Sequence, residues 1–213
     1  FLFPHQLLYI FDKENSTAKN RDEEMVKNLK KTGLVKKTDN VLDYGCGLGT
    51  WNNEIENNGI FFNKLFLYDK NPEAREHCKK KYPNHIVINE INDKLDINLI
   101  FSNSVIQYLN KNELEKLFEQ FSKILKKDQV VILSGNPKYP RILECLLTFF
   151  TNFDLFKIQI KQFFKSDYIM KTNFYIHSID EIILLTKNNF SVTKIEEIEP
   201  NKNRDTIVLK KNN

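Results

Sequence analysis

The chain reads as an α/β protein with a mostly parallel sheet and helices on both faces. Three observations predict this. Short apolar runs of strand length alternate with longer amphipathic stretches between about Asn40 and Leu133; such alternation with short connections marks a right-handed parallel sheet. A glycine-rich turn, Gly45-Cys46-Gly47-Leu48-Gly49, follows directly on the first of those runs. A helix and two strands then close the chain after a long interval.

The elements follow in order. Residues from about Thr17 to Lys31 read as a helix with Met25, Val26 and Leu29 on one face, and Gly33 stops it. The first strand is Asn40–Tyr44, and a helix runs from about Thr50 to near Gly59. The second strand, Lys64–Tyr68, ends in Asp69, after which Asn71-Pro72 reads as an N-cap with proline at the first helical position. The third strand is His85–Asn89 and the fourth Ile97–Phe101. Asn110, three residues before Glu113, opens a helix whose apolar stripe is Leu114, Leu117, Phe118, Phe121, Ile124 and Leu125. The fifth strand is Gln129–Leu133. Ser178-x-x-Glu181 predicts a capping box for a helix through Ile182, Ile183 and Leu185. Asn188-Asn189 is expected to end that helix in a left-handed conformation, and Phe190–Ile198 and Thr206–Lys210 to form a closing pair of strands.

A length of 213 residues suits one domain with a real core. Hydrophobic content of 41% and charge of 28% exclude a disordered chain. The net charge of +4 rests on lysines interleaved with acids, and only Arg21, Arg75, Arg141 and Arg204 are arginine. Nucleic-acid readers lean on arginine for bidentate contacts, so no clear nucleic-acid signal is present. Cys46, Cys78 and Cys145 are widely spaced, and the string holds no C-x-x-C, no C-x-x-x-C-x-x-C and no Cys/His cluster. Neither a metal site nor a disulfide framework is predicted, and a reducing, cytoplasmic setting is expected. No apolar run reaches the roughly 18–20 residues of a membrane span. The chain opens at Phe1, which allows for a missing upstream segment, and Phe1–Pro4 is too short to read as a signal peptide.

The informative stretch is Val41-Leu42-Asp43-Tyr44-Gly45-Cys46-Gly47-Leu48-Gly49. Glycines let backbone turn sharply and approach a ligand closely. Asp43 can accept hydrogen bonds from a cationic or hydroxyl-bearing ligand and would repel a pyrophosphate. A dinucleotide loop prefers G-x-G-x-x-G, and here the third glycine comes one residue early. A phosphate-binding loop needs G-x-x-x-x-G-K-[ST], which does not occur.

D-x-G-x-G-x-G after a strand resembles the first motif of the class I S-adenosylmethionine-dependent methyltransferases. The resemblance runs from about Asp39 to Lys210. It implies a Rossmann-like seven-stranded sheet whose last strand is antiparallel, with a helical insertion after strand five. It implies S-adenosylmethionine as cofactor and S-adenosylhomocysteine as product. Asp43, Gly45, Cys46, Gly47 and Gly49 would lie against the methionine part. Asp69, twenty residues after Gly49, would take both ribose hydroxyls, with Lys70 as an adenine neighbour. The family places an acid or amide near the adenine amino group after strand three; Asn89, Glu90, Ile91 and Asp93 occupy that stretch, and Glu90 with Ile91 is the preferred pair. Asn103, Ser104 and Val105 would offer backbone contacts under the sulfonium.

On the acceptor side, Tyr108 falls where many relatives carry a histidine. With an ordinary pKa of about 10, a tyrosine suits positioning or proton relay rather than a base's role at neutral pH. His177, just before the Ser178 helix, is the second catalytic candidate, whereas His85 and His77 read as structural and solvated. Asn136-Pro137-Lys138-Tyr139 is similar to the N-P-P-Y signature of amino-group methyltransferases but follows strand five and lacks the second proline, so it reads as a turn. Arg21 could reach the cofactor carboxylate from the N-terminal segment. The interval after strand five is rich in aromatics such as Phe149, Phe150, Phe163 and Phe164 and reads as a lid over an apolar-walled pocket. Lys157, Lys161 and Lys165 form one charged face there.

The expected organisation is a single domain over 1–213. It comprises an N-terminal segment 1–38, a cofactor core 39–137, an acceptor cap 138–177 and a closing unit 178–213. The expected function is methylation of a small molecule or metabolite, at oxygen. The competing readings are a regulatory protein that binds the cofactor without catalysis, an RNA methyltransferase, and a dinucleotide enzyme.

Overall fold

The computed structural model describes residues 26, 29–30, 33–49, 52–137, 175–196 and 204–213. Among them, seven strands form one sheet: β1 Asn40–Tyr44, β2 Lys64–Tyr68, β3 Ile86–Val87, β4 Leu99–Asn103, β5 Val130–Pro137, β6 Phe190–Glu196 and β7 Arg204–Lys211. Their order is β3-β2-β1-β4-β5-β7-β6. The first five are parallel to one another, and β7 runs antiparallel to both β5 and β6. The chain winds outward from β1 to β3 and then crosses to β4 on the far side of β1. That reversal opens a crevice at the carboxyl ends of β1 and β4, where ligands of such sheets bind.

Alternation within the strands produces two cores. On one face Leu42, Phe66, Ile100, Leu133 and Ile207 pack with the stripe of helix α3, Lys111–Ile124, and with Ile182 of helix α4, Ile179–Thr186. On the other, Val41, Leu67, Phe101, Ile132 and Val208 pack with Val26, Leu29, Ile55 of helix α1 (Asn52–Asn57) and Cys78 of helix α2 (Pro72–Lys81). Phe118 and Phe121 are at most 1% exposed, and each contributes about 1.5–3 kcal/mol of hydrophobic stabilisation. Asn110 caps α3 with a full capping box, its side chain accepting from the Glu113 amide while Glu113 returns to the Asn110 amide. Asn71 caps α2 as predicted, with Pro72 next.

Several boundaries differ from the sequence reading. β3 keeps only Ile86 and Val87, because it lies at the sheet edge and pairs with β2 alone. β4 begins at Leu99 rather than Ile97 and runs on through the polar Ser102 and Asn103, which β5 holds in register as far as Asn103 opposite Ser134. β5 extends to Pro137, because β7 follows it across an irregularity between Leu133 and Asn136. Asn136 and Pro137 are therefore strand residues, not a turn. At α4 only half of the capping box is present: Ser178 accepts from the Glu181 amide, while the Glu181 carboxylate meets the His177 ring. Neither Asn188 nor Asn189 takes a positive φ, and the residue after the helix, Lys187, stays right-handed. Of the predicted cap over 138–177, residues 138–174, with the Lys157 face, lie outside the described residues, as do Arg21 and most of the N-terminal helix.

Candidate cofactor crevice

Asp43, 1% exposed, stands in register with Leu67 of β2 and Phe101 of β4. From Tyr44 the chain turns at once: the amides of Gly45 and Cys46 both donate to the Tyr68 carbonyl, at 2.7 and 3.0 Å. Gly45 has φ +80°, and a Cβ there would stand 2.4 Å from Cγ2 of Val105. A side chain at this position would therefore meet the segment that follows β4, and glycine is required. At the far end of the loop the Tyr82 hydroxyl donates to the Gly49 carbonyl, and the Gly49 amide closes a turn on Cys46 O at 2.8 Å.

Asp69 holds the middle of the loop. Its Oδ2 accepts from the Gly47 amide at 2.9 Å, and its Oδ1 accepts from the Asn71 amide at 2.8 Å. A carboxylate has about four acceptor directions, so each oxygen keeps a second one for a ligand hydroxyl. Arg75 fixes the backbone behind this acid, its Nη1 donating to Asp69 O at 2.6 Å and Lys70 O at 3.2 Å. The Lys70 side chain is exposed. Glu90 is exposed as well and accepts from Asn92 Nδ2 at 3.2 Å, whereas Ile91 is buried and its carbonyl accepts from Gln120 at 3.2 Å.

Beneath the loop, Sγ of Cys46 and Sγ of Cys78 lie 4.0 Å apart, and Cys78 also donates to the Gly47 carbonyl at 3.3 Å. The Cys46 thiol is pushed well above its ordinary value, first by its hydrogen bond with Cys78, then by burial and by the nearby acids Asp43 and Asp69. Such a thiol stays protonated and packs as a small apolar group. The Tyr44 ring stacks on Tyr68 at 5.4 Å and meets Phe121 edge-on at 5.2 Å. Burial, then Tyr68 and Asp69, push the Tyr44 phenol upward.

The segment after β4 forms the floor beside β1. Asn103, Ser104 and Val105 are half-buried, and Ser104 adopts φ +56°, uncommon for a side-chain-bearing residue. Its amide donates to Ser134 O at 2.8 Å. Gly135, φ +69°, approaches so closely that a Cβ would lie 2.3 Å from Ser104 Oγ and 2.7 Å from Asn103 Oδ1. A single 3-10 turn follows, Ile106–Tyr108, with Tyr108 half-buried. The returning chain is pinned along it: the Tyr175 amide donates to Gln107 O at 2.8 Å, and His177 Nε2 lies 2.8 Å from Leu109 O. The other ring nitrogen of His177 faces Glu181 Oε2 at 3.2 Å. Both nitrogens are thus engaged within the protein, and the ring stacks on Tyr175 at 6.3 Å.

Asp43, the glycine loop, Asp69 and the Asn103–Val105 segment therefore meet at the carboxyl edge of the sheet, and His177 is brought beside the Ile106–Tyr108 turn through Leu109. Sequence reasoning missed Arg75, Cys78, Tyr82 and Gly135. Arg75 carried a faint signal as one of four arginines among many lysines; the others act through contacts no local pattern displays.

A model of the methyltransferase domain matches residues 17–139, more than half of the chain. The chain belongs to that methyltransferase family. S-adenosylmethionine is the family's methyl donor. Among solved structures, an S-adenosylmethionine-dependent methyltransferase from Clostridium acetobutylicum superposes with a TM-score of 0.63 at 14% identity, covering 98% of this chain and 99% of that one. A protein from Pyrococcus horikoshii reaches 0.63 at 18% identity, covering 92% of each chain. Magnesium protoporphyrin IX methyltransferase from Synechocystis, solved with bound S-adenosylmethionine, reaches 0.56 at 12% identity, covering 91% of this chain and 78% of that one. At these identities the likeness is one of fold. No curated protein matches the chain by sequence. Among the described residues, no helix is long and apolar enough to cross a membrane.

Proposed function

We propose that this methyltransferase transfers the methyl group to oxygen on a small molecule, with the crevice at the β1–β4 switch holding the cofactor. The observation that carries the reading is Asp69: a buried carboxylate at the end of β2, tied to the glycine loop and still able to accept two hydroxyls. When bound, S-adenosylmethionine supplies a methyl group already activated by the sulfonium charge, so positioning dominates over acid–base work. Asp69 would take the ribose hydroxyls and Asp43 the amino-acid end, where Gly45, Cys46 and Gly47 offer backbone. Lys70, Glu90 and Ile91 would border the adenine, and Asn103, Ser104 and Val105 would carry the sulfonium side.

On the acceptor side, Tyr108 lines the approach. His177 serves as a positioning residue, because its two ring nitrogens are spent on Leu109 and Glu181. It ties the chain at Tyr175–His177 against the Ile106–Tyr108 turn. Two named relatives by fold, magnesium protoporphyrin IX methyltransferase and the pyocyanin biosynthetic protein PhzM, carry small-molecule names, which favours a small-molecule acceptor here. The free, buried thiols of Cys46 and Cys78 fit a reducing compartment such as the cytoplasm.

The test is a comparison of ligands by thermal shift and calorimetry. S-adenosylmethionine and S-adenosylhomocysteine should raise the melting temperature and NAD should not. Labelled methyl transfer to a metabolite pool should then give a product whose label survives as an ether or ester. Stabilisation by NAD alone would overturn the reading, and a labelled secondary or tertiary amine would move the transfer to nitrogen.

A further inference from the structure

In a parallel sheet each helix carries the chain back from the carboxyl ends of the strands, so helix ends and strand starts collect at the opposite, amino edge. Here that edge is rich in lysine. Lys79, Lys80 and Lys81 fill the last turn of α2, and Lys123 lies in that of α3. The negative end of the helix dipole favours cations there, which accounts for these four. It does not account for the others. Lys36 and Lys37 lie in the turn before β1, Lys64 opens β2, and Lys210 and Lys211 close β7 beside the start of β5. The acids beside them are already engaged. Asp39 accepts from the Lys36 amide at 2.8 Å, Asp128 meets Lys210 Nζ at 2.6 Å, and Asp96 meets Lys126 Nζ at 3.1 Å.

Phe61 stands in the same place. Among the described residues it is the most exposed large apolar side chain, at 58%, and Lys37 Nζ lies 6.0 Å from its ring centroid. The setting is fixed by main-chain bonds: the Asp39 amide donates to Lys36 O at 3.0 Å, and the Asn63 amide to Asp39 O at 2.9 Å. Pairing of Asn40 with Lys64 then sets Lys64 alongside, so Lys36, Lys37 and Lys64 are exposed around the ring. One exposed aromatic needs no explanation by itself. Set among lysines, it supplies the apolar half of an interfacial anchor.

We infer that the amino edge docks on a bilayer surface bearing anionic headgroups. Lys36, Lys37 and Lys64 meet the headgroups, and Phe61 enters the boundary between headgroups and acyl chains. Lysine suits this partner, because a laterally mobile sheet of charge asks only for point cations. A reader of nucleic acid draws on the bidentate fork of arginine, and none of these positions is arginine. The crevice opens at the other ends of the same strands, so the docked protein keeps it facing water. The inference therefore stands apart from the methyl-transfer reading.

The experiment is co-sedimentation of the whole chain with vesicles of phosphatidylcholine alone and of phosphatidylcholine with about a third phosphatidylserine, at about 0.05 and 0.3 M salt. The wild type should favour the anionic vesicles by about tenfold or more at low salt and lose most of that preference at high salt. Lys36→Gln/Lys37→Gln should weaken the binding by about 10–25-fold, at about fivefold per lysine. Lys111→Gln/Lys116→Gln, on the half of α3 nearer the crevice, should change it by less than about threefold. Phe61→Ser should weaken it by about three- to tenfold. All three change exposed side chains and should melt within about 3 °C of the wild type.

Equal binding to both kinds of vesicle, or none to the anionic ones at low salt, would overturn the inference. An equal loss in the two double variants would do the same, by assigning the binding to diffuse charge, as would an unaltered Phe61→Ser. A short single-stranded RNA that binds more tightly than the anionic vesicles and displaces the protein from them would give the edge to nucleic acid instead.

Discussion

Replacing Asp69 with asparagine exchanges one carboxylate oxygen for an amide nitrogen at almost constant volume. In the native protein both oxygens accept main-chain amides, Gly47 at 2.9 Å and Asn71 at 2.8 Å. Asparagine has a single oxygen, so one of those two N–H groups would face an NH2 group, donor against donor. A hydrogen bond to a charged acceptor is worth about 1.5–3 kcal/mol, and relief of burying the charge offsets part of its loss. A net destabilisation of about 1–3 kcal/mol follows, which lowers the melting temperature of a chain this size by about 3–10 °C. The cofactor effect should be larger. Of two ribose hydroxyls held by the remaining acceptor directions, asparagine can hold one, so affinity for S-adenosylmethionine should fall by about 10–100-fold. Thermal unfolding and calorimetric titration of the two proteins measure both quantities. If Asp69→Asn melts lower as calculated yet binds S-adenosylmethionine within about threefold of the wild type, the acid is a loop staple only, and the ribose assignment is refuted.

Two further outcomes are expected. In Gly135→Ala a Cβ would be forced to 2.3 Å from Ser104 Oγ and 2.7 Å from Asn103 Oδ1 at φ +69°, so stability should fall by about 1–3 kcal/mol with weaker S-adenosylmethionine binding; Gly33→Ala, at φ +65° with open space, should lose only about 1–2 kcal/mol of backbone strain and leave binding intact. The folded protein holds the Tyr44 phenol above its ordinary 10.0 and the Cys46 thiol above its ordinary 9.0. Groups raised in the folded state stabilise it fully below their unfolded values and lose that contribution as pH rises past them, so stability should decline from about pH 9 upward. Tyr44→Phe should flatten the part of this decline above pH 10, as followed by denaturant unfolding across the alkaline range; an unchanged slope would show that Tyr44 ionises as readily folded as unfolded.

Much of the fold was legible in the string because it depends on local rules. β1 and β2 have the predicted limits, since their apolar runs are bounded by polar residues and a turn. The capping signals at Asn71, Asn110 and Ser178 mark three helix starts, because an N-cap works through an amide two or three residues away. The glycine–aspartate motif likewise marked the sharp turn at the carboxyl end of β1, since close backbone approach is a local requirement.

What the string concealed lies in contacts between distant segments. β4 and β5 carry polar residues into the sheet because a neighbouring strand satisfies their backbone, and hydropathy cannot register a partner. The capping-box reading of Glu181 fails for a related reason: the carboxylate finds the His177 ring, which the Leu109 carbonyl has already oriented. Tyr82 reaches Gly49 across thirty-three positions, and Arg75 grips the backbone of the acid it follows. Periodicity and capping, being short-range, determined which segments became strands and helices. Only the packed sheet decided which polar atoms find partners within the protein, because satisfaction of a buried group is a property of everything that surrounds it.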